Sequence, residues 1–192
     1  MFELLIRNIS KRGIDLTQEE ISILQSKFTH KHFRKHQYIL QQGEFSRVEN
    51  FIVDGLTRTY EVDEKGQEHI LQFGMEDWWI GDMYSFLSGK PSAFNIDCLE
   101  DTEVLQITKP NLDQLYSEVP KMNQYFRLLL EKALITTNQR IIASLRKTAA
   151  ERYLEFLEKY PRIDQRVSNH QIASFLGITP QSLSRVRRDL SK

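Results

Sequence analysis

The segment that decides the fold is VSNHQIASFLGITPQSLSRVRRDL, residues 167–190. Ser168 and Gln171 have the spacing of a capping box, in which each side chain satisfies a backbone N–H of the other, so a helix is expected to begin there. Gly177 ends that helix, and Thr179 followed by Pro180 marks the start of a second one. Two short helices joined by a turn with glycine predict a helix-turn-helix motif.

The second helix of this motif is expected to have one anchored face and one free face. Leu183, Val186 and Leu190 recur at i, i+3 and i+7, which predicts the face that packs on a core. The other face is polar, and the first residues of such a helix can reach base edges in the major groove of DNA. The candidate DNA-binding residues are Thr179, Gln181, Ser182, Ser184, Arg185 and Arg188.

These side chains suit two kinds of DNA contact. Arg185 can form a bidentate pair with guanine, Gln181 with adenine, and Ser184 can bond to either base. Others are better placed for phosphates, which position a protein without reading sequence. They are Thr179, Ser182, Arg187, Arg188 and Lys192. The alternative is an ordinary helical hairpin with a solvated polar face.

The charge distribution is uneven although the net charge is zero. Residues 1–138 hold 15 basic and 21 acidic residues, a net charge of −6, whereas residues 139–192 hold 11 and 5, a net charge of +6. A basic C-terminal part on an acidic body suggests contact with a polyanion such as nucleic acid. Taken alone, such a pattern is more often a solvated surface.

A long helix is expected ahead of the motif. The segment PKMNQYFRLLLEKALITTNQRIIASLR, residues 120–146, contains no glycine and no proline after its first residue. Its apolar residues cover more than one stripe, so the helix needs cover on two sides. We expect its own domain on one side and a second copy of the chain on the other, which makes a homodimer; burial within a monomer is the alternative. No strict heptad runs through the segment, so the register of the seam stays open.

Strands are expected over residues 33–108. Apolar and β-branched runs such as VENFIV, LTRTYEV and HILQF alternate with turn signals. Glycines recur about every 8–12 residues, which is the spacing of a β-sandwich or barrel.

Two further helices are predicted on either side of these elements. Over residues 15–28, Thr17 and Glu20 form a capping box, and apolar residues from Ile21 to Phe28 share one face. Over residues 148–160 an amphipathic helix ends at Pro161.

With these features the chain resembles the Crp/Fnr family of bacterial transcription regulators. The stretch IASFLGITPQSLSR, residues 172–185, is similar to the family's helix-turn-helix signature. The stretches ILQQGE (39–44) and FIVDG (51–55) are similar to its cyclic-nucleotide-binding-type jelly roll. Pro180 is a departure, because some members carry a base-contacting arginine at that place.

The resemblance implies an α+β fold and a three-part domain organisation. The parts are an N-terminal double-stranded β-helix (jelly roll) sensor domain over residues 1–119, a long dimerisation helix over 120–147 and a C-terminal helix-turn-helix DNA-binding domain over 148–192. The partners that it implies are double-stranded DNA with a pseudo-palindromic operator, a second copy of the chain, and RNA polymerase as a further candidate.

The resemblance is weakest at the sensor site. Members that bind cyclic nucleotides have a Gly-Glu pair followed by Arg-Ser/Thr-Ala, whose arginine pairs with the cyclic phosphate. Here Gly81-Asp82 and Pro91-Ser92-Ala93 stand at these places. Losing the guanidinium removes a bidentate, charge-assisted pair, so we expect a small-molecule effector other than cyclic AMP, or none. The resemblance places the candidate effector pocket at Gly81, Asp82, Met83, Ser92, Ala93, Thr136 and Thr137; the two threonines are equally well explained as polar interruptions of a helix.

Other classes of function receive little support from the sequence. A single cysteine, Cys98, leaves no disulfide within the chain and no four-cysteine zinc or iron–sulfur site, and we expect it to be a small buried apolar residue. No GxSxG, P-loop or HExxH motif is present, so we predict no enzyme, no catalytic residue, no metal and no cofactor. Two alternatives remain: a ligand-binding regulatory module without DNA binding, and a cupin-like metal enzyme. The second needs a histidine cluster, and only His69 lies well inside a predicted strand.

The chain shows no sign of a membrane segment. No run approaches 18 consecutive apolar residues, and the N-terminal stretch MFELLIRNISKR lacks the features of a signal peptide. We therefore expect no membrane contact and a cytoplasmic location.

Overall fold

The structure is a computed structural model that describes residues 1–161 and 163–190. Contacts divide the chain into two compact units: residues 1–61 with 72–131, and residues 62–71 with the part from residue 132 onward. The N-terminal elements are α1 (Phe2–Ser10), α2 (Gln18–Lys27), β1 (Phe28–Phe33), β2 (Tyr38–Leu40), β3 (Val48–Asp54), β4 (Thr57–Val62), β5 (Glu68–Gly74), β6 (Trp79–Ile80), α3 (Met83–Ser88), β7 (Asn95–Cys98), β8 (Thr102–Thr108) and α4 (Lys109–Glu118). The later elements are α5 (Lys121–Arg146), α6 (Ala149–Lys159), α7 (Ile163–Arg166), α8 (Asn169–Leu176) and α9 (Pro180–Leu190).

The strands form two four-stranded sheets in the orders β1-β8-β3-β6 and β2-β7-β4-β5. β8 pairs antiparallel with both β1 and β3, and β7 pairs antiparallel with both β2 and β4. A buried cluster holds apolar side chains from both sheets: Leu40, Ile52, Ile80, Ile96 and Val104. The predicted α+β fold with an N-terminal jelly roll and C-terminal helices is confirmed.

Helices cover the other side of the first sheet. Phe51 and Leu105 of that sheet share one core cluster with Leu5 of α1, Leu112 of α4 and Tyr125 of α5. The Tyr125 hydroxyl donates to Asn8 Oδ1 at 2.7 Å and accepts from Trp79 Nε1 at 2.9 Å, and burial raises the pKa of Tyr125 to about 12. This polar chain connects α1, β6 and α5 inside an otherwise apolar layer.

The capping boxes predicted from local spacing are present. Thr17 Oγ1 accepts from the Glu20 N–H at 3.2 Å, and Glu20 Oε2 accepts from the Thr17 N–H at 2.7 Å. The helix they start ends sooner than expected, since Phe28 already belongs to β1 and pairs with Ile107. The strand region therefore begins five residues before the predicted position of residue 33, and the short helix α3 interrupts it.

The second unit has its own aromatic core. The rings of Phe156, Tyr160 and Phe175 lie 5.2 to 5.5 Å apart between centroids, and Ile172 and Leu183 are fully buried nearby in the same unit. α6 confirms the predicted amphipathic helix.

Residues 62–71, the tip of the β4–β5 hairpin, belong to this second unit. Ser174 Oγ donates to the Glu68 carbonyl at 2.8 Å and accepts from the Ile70 N–H at 3.0 Å. The Arg140 guanidinium donates to the carbonyls of Ile70, Leu71 and Phe175 and stacks on the Phe175 ring at 4.2 Å. Burial lowers the pKa of Arg140.

Candidate nucleic-acid interface

The turn between α8 and α9 has the geometry that the sequence predicts. Ser168 and Gln171 cap α8, with the Gln171 N–H donating to Ser168 Oγ at 3.2 Å. Gly177 adopts a left-handed conformation with φ of 65°, and the Ile178 N–H donates back to the Ala173 carbonyl at 3.0 Å. Glycine takes this φ without the steric cost that a Cβ adds, so it fixes where the second helix starts.

Helix α9 begins as expected and is anchored by its centre. The Ser182 N–H donates to Thr179 Oγ1 at 3.2 Å, which caps the helix at its first turn. Leu183 is fully buried and Val186 is half-buried. Leu190, predicted as the third anchor, is 46% exposed, because it lies in the last described turn beyond the packed region.

The opposite face of α9 is polar and open. Gln181, Ser184, Arg185 and Arg188 are all exposed, and at about 100° per residue they lie within an arc of about 100°. The Arg185 side chain makes no hydrogen bond or ion pair with any residue that the structure describes. Ser184 donates its hydroxyl to the Pro180 carbonyl at 3.0 Å, a bond that it can exchange for an external partner. The candidate set lies together, with Thr179 exposed and Ser182 half-buried at the start of the helix.

Arg187 lies elsewhere than we expected. Its Nε donates to the Tyr153 hydroxyl at 2.8 Å, its Nη1 bonds to Asn169 Oδ1, and its guanidinium lies 5.3 Å from the centroid of the Tyr153 ring. It therefore attaches α9 to α6 and α8, and the phosphate contact expected of it stays a prediction. Lys192 lies outside the described residues.

The candidate effector residues are only partly brought together. The first unit, residues 1–61 with 72–131, has a cavity of about 180 Å³, below the roughly 300 Å³ at which pockets for drug-sized ligands begin. Of the predicted residues only Gly81 lines it, beside Glu44, Arg47 and Asn50. Met83 instead packs on the helical core, and Ala93 is exposed.

Asp82 and Ser92 lie together, and their side chains hydrogen-bond to each other. Ser92 Oγ donates to Asp82 Oδ2 at 2.7 Å, and Asp82 Oδ1 accepts from the Ser85 N–H as the cap of α3. Both residues are buried. Asp82, which the resemblance offers as an acceptor for a ligand hydroxyl, already accepts a hydroxyl from the protein. Thr136 is half-buried and Thr137 is exposed on α5.

A buried glutamate for which no sequence pattern was noted lies next to Gly81 and Asp82. Glu49 on β3 is 3% exposed, and its Oε1 has no partner among the described residues. Burial, with a smaller contribution from the negative charge of Asp82, raises the pKa of Glu49 to about 8. A Cβ at position 81 would overlap with the Glu49 carboxylate, which explains the glycine there.

The second half of α5 exposes a wide apolar face. Exposed fractions are 63% for Leu134, 56% for Ile135, 55% for Ile141, 50% for Ile142 and 80% for Leu145. Such a face is large for a protein surface and typical of an interaction site.

Other candidate chemistry is accounted for in ordinary ways. Cys98 is fully buried, and burial raises the pKa of its thiol to about 11, as expected of a structural cysteine. His30 and His32 lie on β1, so His69 is not the only histidine within a strand. The described residues contain no group of three or more His, Cys, Asp or Glu side chains arranged to hold a metal ion.

Comparison with known proteins gives the relationship of the chain. The profile of the cyclic nucleotide-binding domain matches residues 30–119. The chain is 26% identical over 169 residues to the fumarate and nitrate reduction regulatory protein of Vibrio cholerae, and 23% identical over 164 residues to the transcriptional activator protein Anr of Pseudomonas aeruginosa. These alignments cover 81% and 80% of the chain. The predicted resemblance to the Crp/Fnr family is thus confirmed as a similarity.

The fold is similar to that of solved structures. FixK2 from Bradyrhizobium japonicum superposes with a TM-score of 0.75 at 22% identity, over 85% of this chain and 84% of that one. The catabolite activator protein of Thermus thermophilus gives a TM-score of 0.60 at 22% identity, over 92% and 84% of the two chains.

The chain spans 66% of the length of each of the two regulators named above, just under two thirds. Both carry names of regulators and neither carries the name of an enzyme, in agreement with the prediction that the chain is not an enzyme. In the described part of the chain no helix is both long enough and apolar enough to span a bilayer.

Proposed function

We propose that the chain is a homodimeric transcription regulator that binds a pseudo-palindromic operator through the major groove. The observation that carries this proposal is the free polar face of α9, with Arg185 exposed and unpaired among the described residues. A helix held by Leu183 with its first turns open is the arrangement of a recognition helix. The names of the two regulators that the chain resembles support the same conclusion.

The free face divides into residues that read bases and residues that hold the backbone. Arg185 and Gln181 are the proposed readers of guanine and adenine, and Ser184 supplements them. Thr179, Ser182 and Arg188 are the proposed phosphate contacts. RNA polymerase remains a candidate partner, for which the surface gives no specific residue.

The apolar face of α5 supports the homodimer. Its exposed leucines and isoleucines lie on the helix that continues from the sensor unit into the second unit. A two-fold copy of the same helix covers such a face with an equally apolar surface. Two recognition helices are then expected about one DNA turn, ~34 Å, apart.

The effector remains open within this proposal. The internal Asp82–Ser92 bond and the exposed Pro91, where the resemblance expects a phosphate-binding arginine, support an effector other than cyclic AMP, or none. Any effector acts only if it binds one conformation of the dimer more tightly than the other.

The test is selection of bound duplexes from random DNA by the full chain, followed by binding of single variants. We expect an enriched pseudo-palindrome. Arg185→Ala should then weaken binding to the selected site by about 1–3 kcal/mol and leave weak binding to random duplex largely unchanged.

Arg188→Ala is the matched control, since it removes the same group three residues further along the same face. Because Arg188 is the proposed phosphate contact, this variant should bind selected and random duplexes more weakly to the same extent. The slope of log binding constant against log salt concentration should fall by about one. Equal losses on both duplexes for Arg185→Ala would show that Arg185 reads no base. Absence of any enriched site would refute DNA recognition and favour the regulatory module without DNA binding.

A further inference from the structure

The exposed face of α5 has a polar residue at its centre. At about 100° per residue, its members Leu134, Ile135, Ile141, Ile142 and Leu145 span an arc of about 120°. Asn138 falls in the middle of that arc, about 40° from Leu134 and about 20° from Leu145. It is exposed, and its side chain makes no hydrogen bond with any described residue.

The spacing of the residues around Asn138 indicates the kind of partner. Ile135, Asn138, Ile142 and Leu145 follow one another at intervals of three, four and three, as core positions of a coiled coil do. Isoleucine then occupies both a positions, and Asn138 and Leu145 occupy the d positions. In a parallel coiled coil, isoleucine at a with leucine at d favours two helices over three or four. The exposures in the structure place these residues on one open face of α5, with Leu134 and Ile141 beside them.

The side-chain amide of Asn138 restricts which helix can cover this face. An amide offers a donor and an acceptor together, and leaving both unpaired inside an apolar interface is costly. In a two-fold seam a residue at the centre of the face meets its own copy, which offers the same donor and acceptor. An unrelated apolar helix would bury the amide without a partner.

We infer that Asn138 pairs with Asn138 of a second copy across the α5 seam and fixes the register of a parallel dimer. This inference rests on the proposed homodimer and adds the residue that specifies it. A polar residue at one core position lowers the stability of such a dimer but removes the shifted arrangements that a wholly apolar seam permits.

The experiment compares the full chain with Asn138→Leu in two measurements. Sedimentation equilibrium should show a dimer for the unchanged chain. The dissociation constant of the dimer should be lower for the leucine variant, by up to about tenfold. A spin label at Ser144→Cys, beside the seam, should give one narrow distance for the unchanged chain. In the leucine variant additional distances should appear, since a shift of one heptad displaces the helices by about 10 Å.

Gln139→Leu is the matched control, because it makes the same change one residue along and away from the face; it should keep one distance. Asn138→Ala serves as a second variant, because it removes the amide without adding a large side chain. Its spin labels should also show more than one distance. A single unchanged distance in both Asn138 variants, or a weaker dimer for Asn138→Leu, would overturn the role of Asn138 while the homodimer stands. A monomeric unchanged chain would remove the homodimer and this inference together.

Discussion

Glu49 shows how one residue can make stability depend on pH. Its carboxyl is buried beneath Gly81 and faces the charge of Asp82, and its pKa is raised to about 8 from an ordinary value of 4.5. The folded chain therefore holds a proton there that the unfolded chain releases near pH 4.5. The stabilisation from this group is complete below pH 4.5 and is lost progressively as the pH rises to about 8.

We predict that Glu49→Gln removes this dependence. Since one pKa unit corresponds to about 1.4 kcal/mol, the variant should gain up to a few kcal/mol in free energy of unfolding over the parent between pH 5 and pH 8. Urea unfolding at a series of pH values measures the difference.

Glu61→Gln is the control for this measurement, because Glu61 is an exposed carboxyl on β4, the next strand along the chain. It should follow the parent at every pH. If the advantage of Glu49→Gln does not grow with pH, the acid is ionised in the folded protein and the burial argument fails.

At the scale of elements, the turn at Gly177 determines the direction of α9. The left-handed Gly177, the returning Ile178 N–H and the cap of Thr179 follow one another within three residues. Arg187 then attaches the far side of the helix to Tyr153 of α6. The proposed recognition of DNA by α9 thus depends on residues that position the helix and are not among the proposed DNA contacts.

We predict that Gly177→Ala lowers both stability and DNA affinity. A Cβ at position 177 would meet only Arg152 Nη1, at the ordinary contact distance of 3.9 Å, so the cost is the strain of the left-handed backbone, roughly 1–2 kcal/mol. Gly89→Ala, at the end of α3, has a left-handed φ of 66° and no atom within 4 Å of the added Cβ, and serves as control. Urea unfolding should show similar losses for both variants, whereas binding to the selected duplex should fall only for Gly177→Ala. Equal binding by the two variants would mean that α9 keeps its direction without the glycine.

At the scale of the whole molecule, the proposed sensing and DNA-binding roles fall on different parts of the chain. The profile that matches residues 30–119 is that of a cyclic nucleotide-binding domain, yet the place of the cassette is filled by the bonded pair of Asp82 and Ser92. A family relationship therefore does not by itself transfer the ligand.

We predict that millimolar cyclic AMP leaves the melting temperature of the chain unchanged. A ligand at 100 times its dissociation constant would add about 2.7 kcal/mol, enough to raise the melting temperature of a chain of this size by several degrees. Differential scanning calorimetry with and without the nucleotide measures this, with adenosine 5′-monophosphate as the non-cyclic control. A rise of several degrees with cyclic AMP alone would show that the site accepts the cyclic phosphate without an arginine at position 91.

Features set by neighbouring residues were predictable from the sequence. The capping boxes at Thr17 and Ser168, the turn at Gly177 and the extent of α5 all appear where the spacing places them. Capping and turn formation depend on backbone groups a few residues apart, so their signals are local. The helices α1, α3 and α4 were not predicted, although Asp82 caps α3 and the left-handed Gly89 ends it.

The sequence by itself determined the order of the parts, the helix-turn-helix and the family resemblance. Only the tertiary structure decided which side chains are free: Arg185 is exposed while Arg187 is bonded to Tyr153, and Glu49 is buried while the leucines of α5 are open. The physical reason is that exposure and pairing depend on residues far apart in the chain, which local spacing does not record.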